Sequence, residues 1–205
     1  MTKRHDGEIS KSAAIAGLSN RRARAVLRML LDGNHRFVGG RPLYTRDISS
    51  ARAAASEQRP VAAVFTCVDS RVTAESLFDC DFGQLIVVRT AAHVPDHAAV
   101  DSLVFAVDQL DVPLVIVLGH ERCGAVKLAI DAVRGGDKDA GFLVESLRQP
   151  AARALRSAPD DPYTEAMRLQ VSDTVERLTE REDLRAAHIA GARYDLDEGT
   201  VHMLK

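Results

Sequence analysis

Cys67, Asp69 and Arg71 occupy alternate positions in TCVDSRV (66–72), directly after an apolar run. His120 and Cys123 stand three apart in LGHERCGAV (118–126), directly after another apolar run. Two thiolates and one imidazole make a Cys2His set, which fills three corners of tetrahedral zinc and leaves the fourth to water or substrate. Cys123 is expected in the first helical turn after a strand, where the partial positive charge favours the thiolate a metal requires. Each of these side chains alone has an ordinary explanation: a small buried thiol, a hydrogen-bonded histidine, an ion pair closing a strand. Their joint placement at two strand ends, with an Asp and an Arg beside them, favours a metal site. Cys80, in FDCDFG with no histidine nearby, is expected to be a structural thiol.

The elements that must position these residues follow from periodicity. PVAAVFT (60–66), QLIVVRT (84–90) and PLVIVLG (113–119) are short Val- and Ile-rich runs, as expected of strands covered on both faces. AHIAGARYDL (187–196) reads as a fourth strand, and DEGTVHML as a turn and a final antiparallel strand. Between them, Val100, Leu103, Val104, Val107 and Leu110 recur at helical spacing. CGAVKLAIDAVRGG reads as a second helix, a polar excursion follows, and a long helix is predicted over roughly 162–180 with Met167, Val171, Val175 and Leu178 inward. Ser19 is suited to cap a helix over 20–33 that ends near Gly33, with Val26, Leu27, Leu30 and Leu31 on its apolar side. Arg21, Arg22 and Arg24 are then the solvated face of that helix rather than a basic patch. Residues 39–58 read as a connection with one helical turn. The fold class is α/β: a single domain with a four-stranded mainly parallel sheet, an antiparallel edge strand and flanking helices. Residues 1–18 are expected to form a flexible arm ahead of a catalytic domain over 19–205. Ligands of such sheets bind beyond the carboxyl ends of the strands, where both motifs fall. Gly119 is expected to permit the sharp turn after the third strand.

The chain has 205 residues, 46% of them hydrophobic, enough for one core. A formal charge of -2 gives no reason to expect a nucleic-acid or anionic-membrane partner. No segment approaches the roughly 18 apolar residues of a membrane helix, and the N-terminus lacks the apolar core of a signal peptide. Three cysteines are a poor disulfide framework. A cytoplasmic setting is expected.

Cys67-x-Asp69-Ser70-Arg71 together with His120-x-x-Cys123-Gly124 resembles the signature of the beta-class carbonic anhydrases. GNHRFVGGRP (33–42), LIVVRTAAHV (85–94), VDQLDVPLVIVLGH (107–120) and YDLDEGTV (194–201) are similar to further segments of that family. The resemblance implies an obligate dimer, here expected as a homodimer or dimer of dimers, and a zinc (Zn2+) enzyme interconverting carbon dioxide and bicarbonate. Cys67, His120 and Cys123 are the implied metal ligands. Asp69 is suited to orient zinc-bound hydroxide toward carbon dioxide, and Arg71 to hold Asp69. Gly124 has no side chain to block the metal, and its N–H is suited to orient bicarbonate. His93 is open between a proton relay and a surface hydrogen-bonding role. Val68, Ala92, Cys80 and Asp81 depart from common choices in the family, and Asp81 bears on the polarity of the substrate pocket. Some family members bind bicarbonate in a separate pocket of Trp, Arg and Tyr, which drives the Asp onto the metal. Arg89 and Tyr194 match two of those positions, but the third is Val64 and the chain has no Trp. Asp69 is therefore expected to stay paired with Arg71, and Arg89 and Tyr194 to serve backbone or inter-subunit hydrogen bonds. Two other functions fit the same residues: hydrolysis of carbonyl sulfide or carbon disulfide, and a non-catalytic zinc protein. A structural site, however, needs a fourth protein ligand and no Asp–Arg pair.

Overall fold

The structure is a computed structural model that describes residues 8–9, 21–136, 141–158 and 160–204. Its elements in chain order are β1 (Glu8–Ile9), α1 (Arg21–Val38), α2 (Ile48–Ala53), β2 (Ala62–Cys67), α3 (Ala74–Leu77), β3 (Leu85–Thr90), α4 (His97–Asp108), β4 (Leu114–His120), α5 (Gly124–Gly135), α6 (Gly141–Ser157), α7 (Pro162–Thr179), β5 (His188–Tyr194) and β6 (Val201–Leu204). They form a single α/β domain around one sheet of order β1-β6-β5-β4-β2-β3. β3, β2, β4 and β5 are mutually parallel, and β6 runs antiparallel to β5, as the sequence predicts. β6 is not the sheet edge, because Glu8 and Ile9 pair with Leu204 and Met203. The rest of the 1–18 segment lies outside the described residues.

The central strands β2 and β4 are buried along their whole length, and their alternation divides the core. Ala63, Phe65, Val115 and Val117 face α4, α5, α6 and α7, while Ala62, Val64, Leu114 and Ile116 face α1. Such two-sided burial is the reason these strands carry continuous apolar runs instead of alternating ones.

Several expectations are corrected here. α1 does not stop at Gly33 but continues to Val38. Gly33 is there for close approach: a Cβ on it would lie 1.9 Å from the Phe78 carbonyl oxygen. The next residue, Asn34, ties the helix down by donating to the carbonyls of Leu77 and Gly199 and accepting from the Val201 N–H. The apolar stripe of α1 is covered by its own chain, since Ala23, Leu27, Leu30 and Leu31 pack in one cluster with Val64, Leu114 and Ile116. It therefore gives no argument for a second subunit. The polar excursion contains α6, whose Val144, Leu147, Ala151 and Ala154 are buried. Gly119 lies inside β4 and makes no turn. It leaves room for α7, because a Cβ there would stand 2.6 Å from Val171 and 2.7 Å from Met167.

Candidate metal centre and active site

Strand register brings the two motifs together. Thr66 of β2 pairs with Leu118 of β4, and its hydroxyl donates to the Leu118 carbonyl at 2.8 Å. Cys67 follows one residue on and His120 two, at the carboxyl ends of neighbouring strands. After His120 the chain turns through Arg122, which has φ 50°. Cys123 is then the N-cap residue of α5, one position ahead of the first helical turn where the sequence placed it. The ligand atoms of Cys67, His120 and Cys123 all lie within 4.8 Å of one another, and all three residues are buried.

This donor set fits zinc. Two thiolates at about 2.3 Å from a tetrahedral ion stand about 3.8 Å apart, and the two sulfurs are separated by 3.9 Å. The His120 Nδ1–H donates to the Glu121 carbonyl at 2.8 Å, which leaves the lone pair on Nε2. That Nε2 is buried with no hydrogen-bond partner among the described residues. Burial of an unsatisfied acceptor costs about 1–3 kcal/mol, a cost that ligation removes.

Electrostatics agree. The hydrogen bond from the Cys123 thiol, working against burial, holds Cys67 far below the usual thiol range, with help from His120 and the Asp69 and Ala92 amides. Cys123 is pushed up by giving that hydrogen bond and by its own burial, though the first-turn amides of Ala125 and Val126 favour its thiolate. In effect one proton is held between two sulfurs, and a divalent cation satisfying both would displace it.

β2 ends at Cys67, so Asp69 and Arg71 lie in the following turn instead of on a continuing strand face. They still meet. Asp69 Oδ1 accepts from the Arg71 N–H at 3.0 Å and from Nε at 2.9 Å, while Oδ2 accepts from Nη2 at 2.7 Å. This bidentate clamp holds the Asp69 carboxyl well below the ordinary carboxylate range. Oδ2 stands 3.9 Å from His120 Nε2, beside the Cys2His cluster. Gly124 opens α5, and a Cβ on it would meet nothing within 4 Å.

Sequence reasoning expected backbone hydrogen bonds of Arg89 without their partners, and it missed one further contributor, the Ala92 N–H. Arg89 donates through Nε to the Cys67 carbonyl at 2.9 Å and through Nη2 to the Asp69 carbonyl at 2.6 Å, fixing the turn that carries both side chains. This is the backbone role expected of Arg89 once Val64 takes the place of a Trp. The Ala92 N–H donates to Cys67 Sγ at 3.3 Å, for which no sequence signal exists. His93 has no surface role: it is buried, packs edge-on against Phe65 and is pushed down to about 4 by burial. Cys80 is buried away from the cluster and its thiol is pushed up to about 12, first by burial and then by Asp79. Asp81 makes a local turn, its carboxylate accepting from the Phe82 N–H.

The sequence profile of the family described as carbonic anhydrase matches residues 62–201. The carbonic anhydrase of Mycolicibacterium smegmatis is 40% identical over 189 residues, covering 87% of this chain and 92% of its own. Carbonic anhydrase 2 of Mycobacterium tuberculosis is 38% identical over 185 residues, covering 85% of this chain and 89% of its own. Among solved structures, the β-carbonic anhydrase CafA of Aspergillus fumigatus superposes with a TM-score of 0.66 at 26% identity, covering 76% of this chain and 80% of that one. The chain belongs to the carbonic anhydrase family, in its beta class. Its enzymatic class is that of the carbonate dehydratases, which are lyases acting on carbon dioxide and bicarbonate. Among the described residues no helix is long and apolar enough to cross a membrane.

Proposed function

We propose that the chain hydrates carbon dioxide reversibly to bicarbonate and a proton, with one zinc ion held by Cys67, His120 and Cys123. The observation that carries the metal assignment is the buried, unpartnered Nε2 of His120 facing two thiols. Zinc would supply an acidified water as nucleophile at neutral pH. Asp69, kept anionic by Arg71, accepts a hydrogen bond from the attacking oxygen and so turns its lone pair toward the carbon of the substrate. Arg71 works through Asp69, and Arg89 fixes the backbone between Cys67 and Asp69. Gly124 leaves space for the product, and its N–H is suited to a bicarbonate oxygen.

The catalytic domain is read as residues 19–205, with 1–18 as an arm, and the setting as cytoplasmic, where three free thiols suit a reducing compartment. A homodimer or dimer of dimers is supported by β3. Among the described residues it is an edge strand of the sheet, and Leu85, Ile86, Val87 and Val88 along it are only half-buried, a combination that invites pairing or cover by a second subunit. Stopped-flow carbon dioxide hydration on metal-analysed protein tests the central reading. Zinc-loaded protein with no hydration above background would refute it. Sedimentation should show no active monomer at micromolar concentration.

A further inference from the structure

α7 touches β4 beside His120 and the turn after β3 that approaches Cys67. Met167 and Val171 press on Gly119, next to His120. One turn along the same face, Gln170 is buried, and its Nε2 donates to the Ala92 carbonyl and to Thr174 Oγ1, both at 3.5 Å. Ala92 is the residue whose N–H donates to Cys67 Sγ. It holds φ 49° and ψ 33°, a left-handed conformation that an alanine adopts only when its surroundings impose it. In that conformation the N–H and C=O of one residue point in opposite directions. Ala92 thereby spans the gap between the sulfur on one side and Gln170 on the other.

We propose that Gln170 is a positioning residue for the metal centre, acting through Ala92: by holding the Ala92 carbonyl it keeps the Ala92 N–H aimed at the Cys67 sulfur. The inference rests on the zinc reading above, in which Cys67 is a ligand. An N–H aimed at a thiolate withdraws charge from it and fixes its lone pairs, so its loss alters both metal affinity and the electronics of the metal–sulfur bond. Without Gln170 the left-handed Ala92 has lost the buried group that holds its carbonyl, and the N–H swings off the sulfur.

The test begins with zinc analysis of the wild-type protein; absence of zinc there sinks the metal reading itself. Given zinc, Gln170→Met keeps the shape of the side chain and removes the donor. Zinc affinity by chelator competition should fall roughly 10–100-fold, the usual loss for an outer partner of a metal ligand. The thiolate-to-metal charge-transfer band of the cobalt-substituted protein should shift as well. Val175→Ala, which trims a half-buried contact on the same helix, should lower thermal stability without moving that band. Wild-type affinity and an unmoved band in Gln170→Met would overturn the proposal while leaving the zinc site intact. If Gln170→Met does not fold, the wild-type protein loaded with ¹¹³Cd decides the matter by NMR. A coupling between the metal and the Ala92 amide proton, transmitted through sulfur, is expected, and its absence overturns the proposal.

Discussion

Asp69→Asn separates the orienting role of this carboxylate from its role as an ion-pair partner. The amide fills the same space but has one acceptor where the carboxylate has two. If the amide oxygen takes the Oδ1 place, both bonds from the Arg71 backbone and Nε survive. The NH2 then stands against Arg71 Nη2, which now lies 2.7 Å from Oδ2, and faces His120 Nε2, 3.9 Å away. At the atom nearest the metal cluster, an anionic acceptor has become a donor. Groups of this kind contribute roughly 10²–10⁴-fold in rate, about 2.7–5.4 kcal/mol on the barrier. The effect on folding is far smaller. Arg71 is 51% exposed, and pairs so open to solvent contribute about 0–1 kcal/mol. Stopped-flow hydration should therefore collapse while zinc content and Tm stay close to wild type. Near-normal turnover in zinc-loaded Asp69→Asn would reduce the residue to a structural ion-pair member. Joint loss of zinc and turnover would instead place it among the groups that hold the metal.

Cys67→Ser and Cys123→Ser should each lose metal and activity together, and full zinc occupancy in Cys123→Ala would remove Cys123 from the ligand set. In a zinc-loaded crystal structure near neutral pH, the Asp69 oxygens should stay outside the coordinating range of about 2.0–2.2 Å; an oxygen inside it contradicts the Arg71 pairing. Gly119→Ala should cost about 1–3 kcal/mol by overpacking against Val171 and Met167, readable as a lower urea midpoint; an unchanged midpoint would mean that α7 yields freely. Asp79 supplies the pH dependence. Burial pushes its pKa up, but the Leu43 N–H, Arg36 and the Tyr44 N–H outweigh this and hold it low. Its stabilisation is then complete above the unfolded carboxylate value of about 3.9 and fades as the pH falls below it. Asp79→Asn, which tolerates the left-handed backbone at this position (φ 46°), should flatten the acid limb of Tm against pH; an unaltered limb would assign acid unfolding to other carboxylates.

The parallel sheet and the gathering of Cys67, His120 and Cys123 were legible in the sequence for the same reason. Strands buried on both faces must be continuous apolar runs, and a polar motif directly after such a run must lie at a strand end. Cys67, Asp69, Arg71, His120 and Cys123 needed only that inference to be gathered in one place. What escaped was whatever depends on one backbone approaching another. Gly33 and Gly119 look like punctuation in the chain, yet each sits inside a regular element because a neighbour presses on its Cα. α6 was hidden by its surroundings: Pro150 interrupts its interior and polar residues flank it, although Val144, Leu147, Ala151 and Ala154 carry the helical spacing. The Ala92 N–H is a backbone group, and no side-chain pattern announces it.

Arg89, Tyr194 and Val64 bear on whether Asp69 could leave Arg71 for the metal. In the resembling pocket, bicarbonate would draw on an Arg and a Tyr together with a Trp. Here the third position is Val64, fully buried in the core shared with α1. The guanidinium of Arg89 is engaged with the Cys67 and Asp69 carbonyls, so its hydrogen-bonding capacity serves the turn that presents the site. A bicarbonate ion arriving at this place would have to take Arg89 from those carbonyls. It would also find an apolar core residue where the indole should be. A ligand shifts an equilibrium only by its differential affinity for the two states, and neither Arg89 nor Val64, as placed here, supplies one that favours Asp69 on a metal. The bidentate clamp of Arg71 meanwhile favours the present state with three hydrogen bonds. On the proposed reading, Arg89 maintains this arrangement instead of switching it, and Asp69 is left to orient the attacking oxygen.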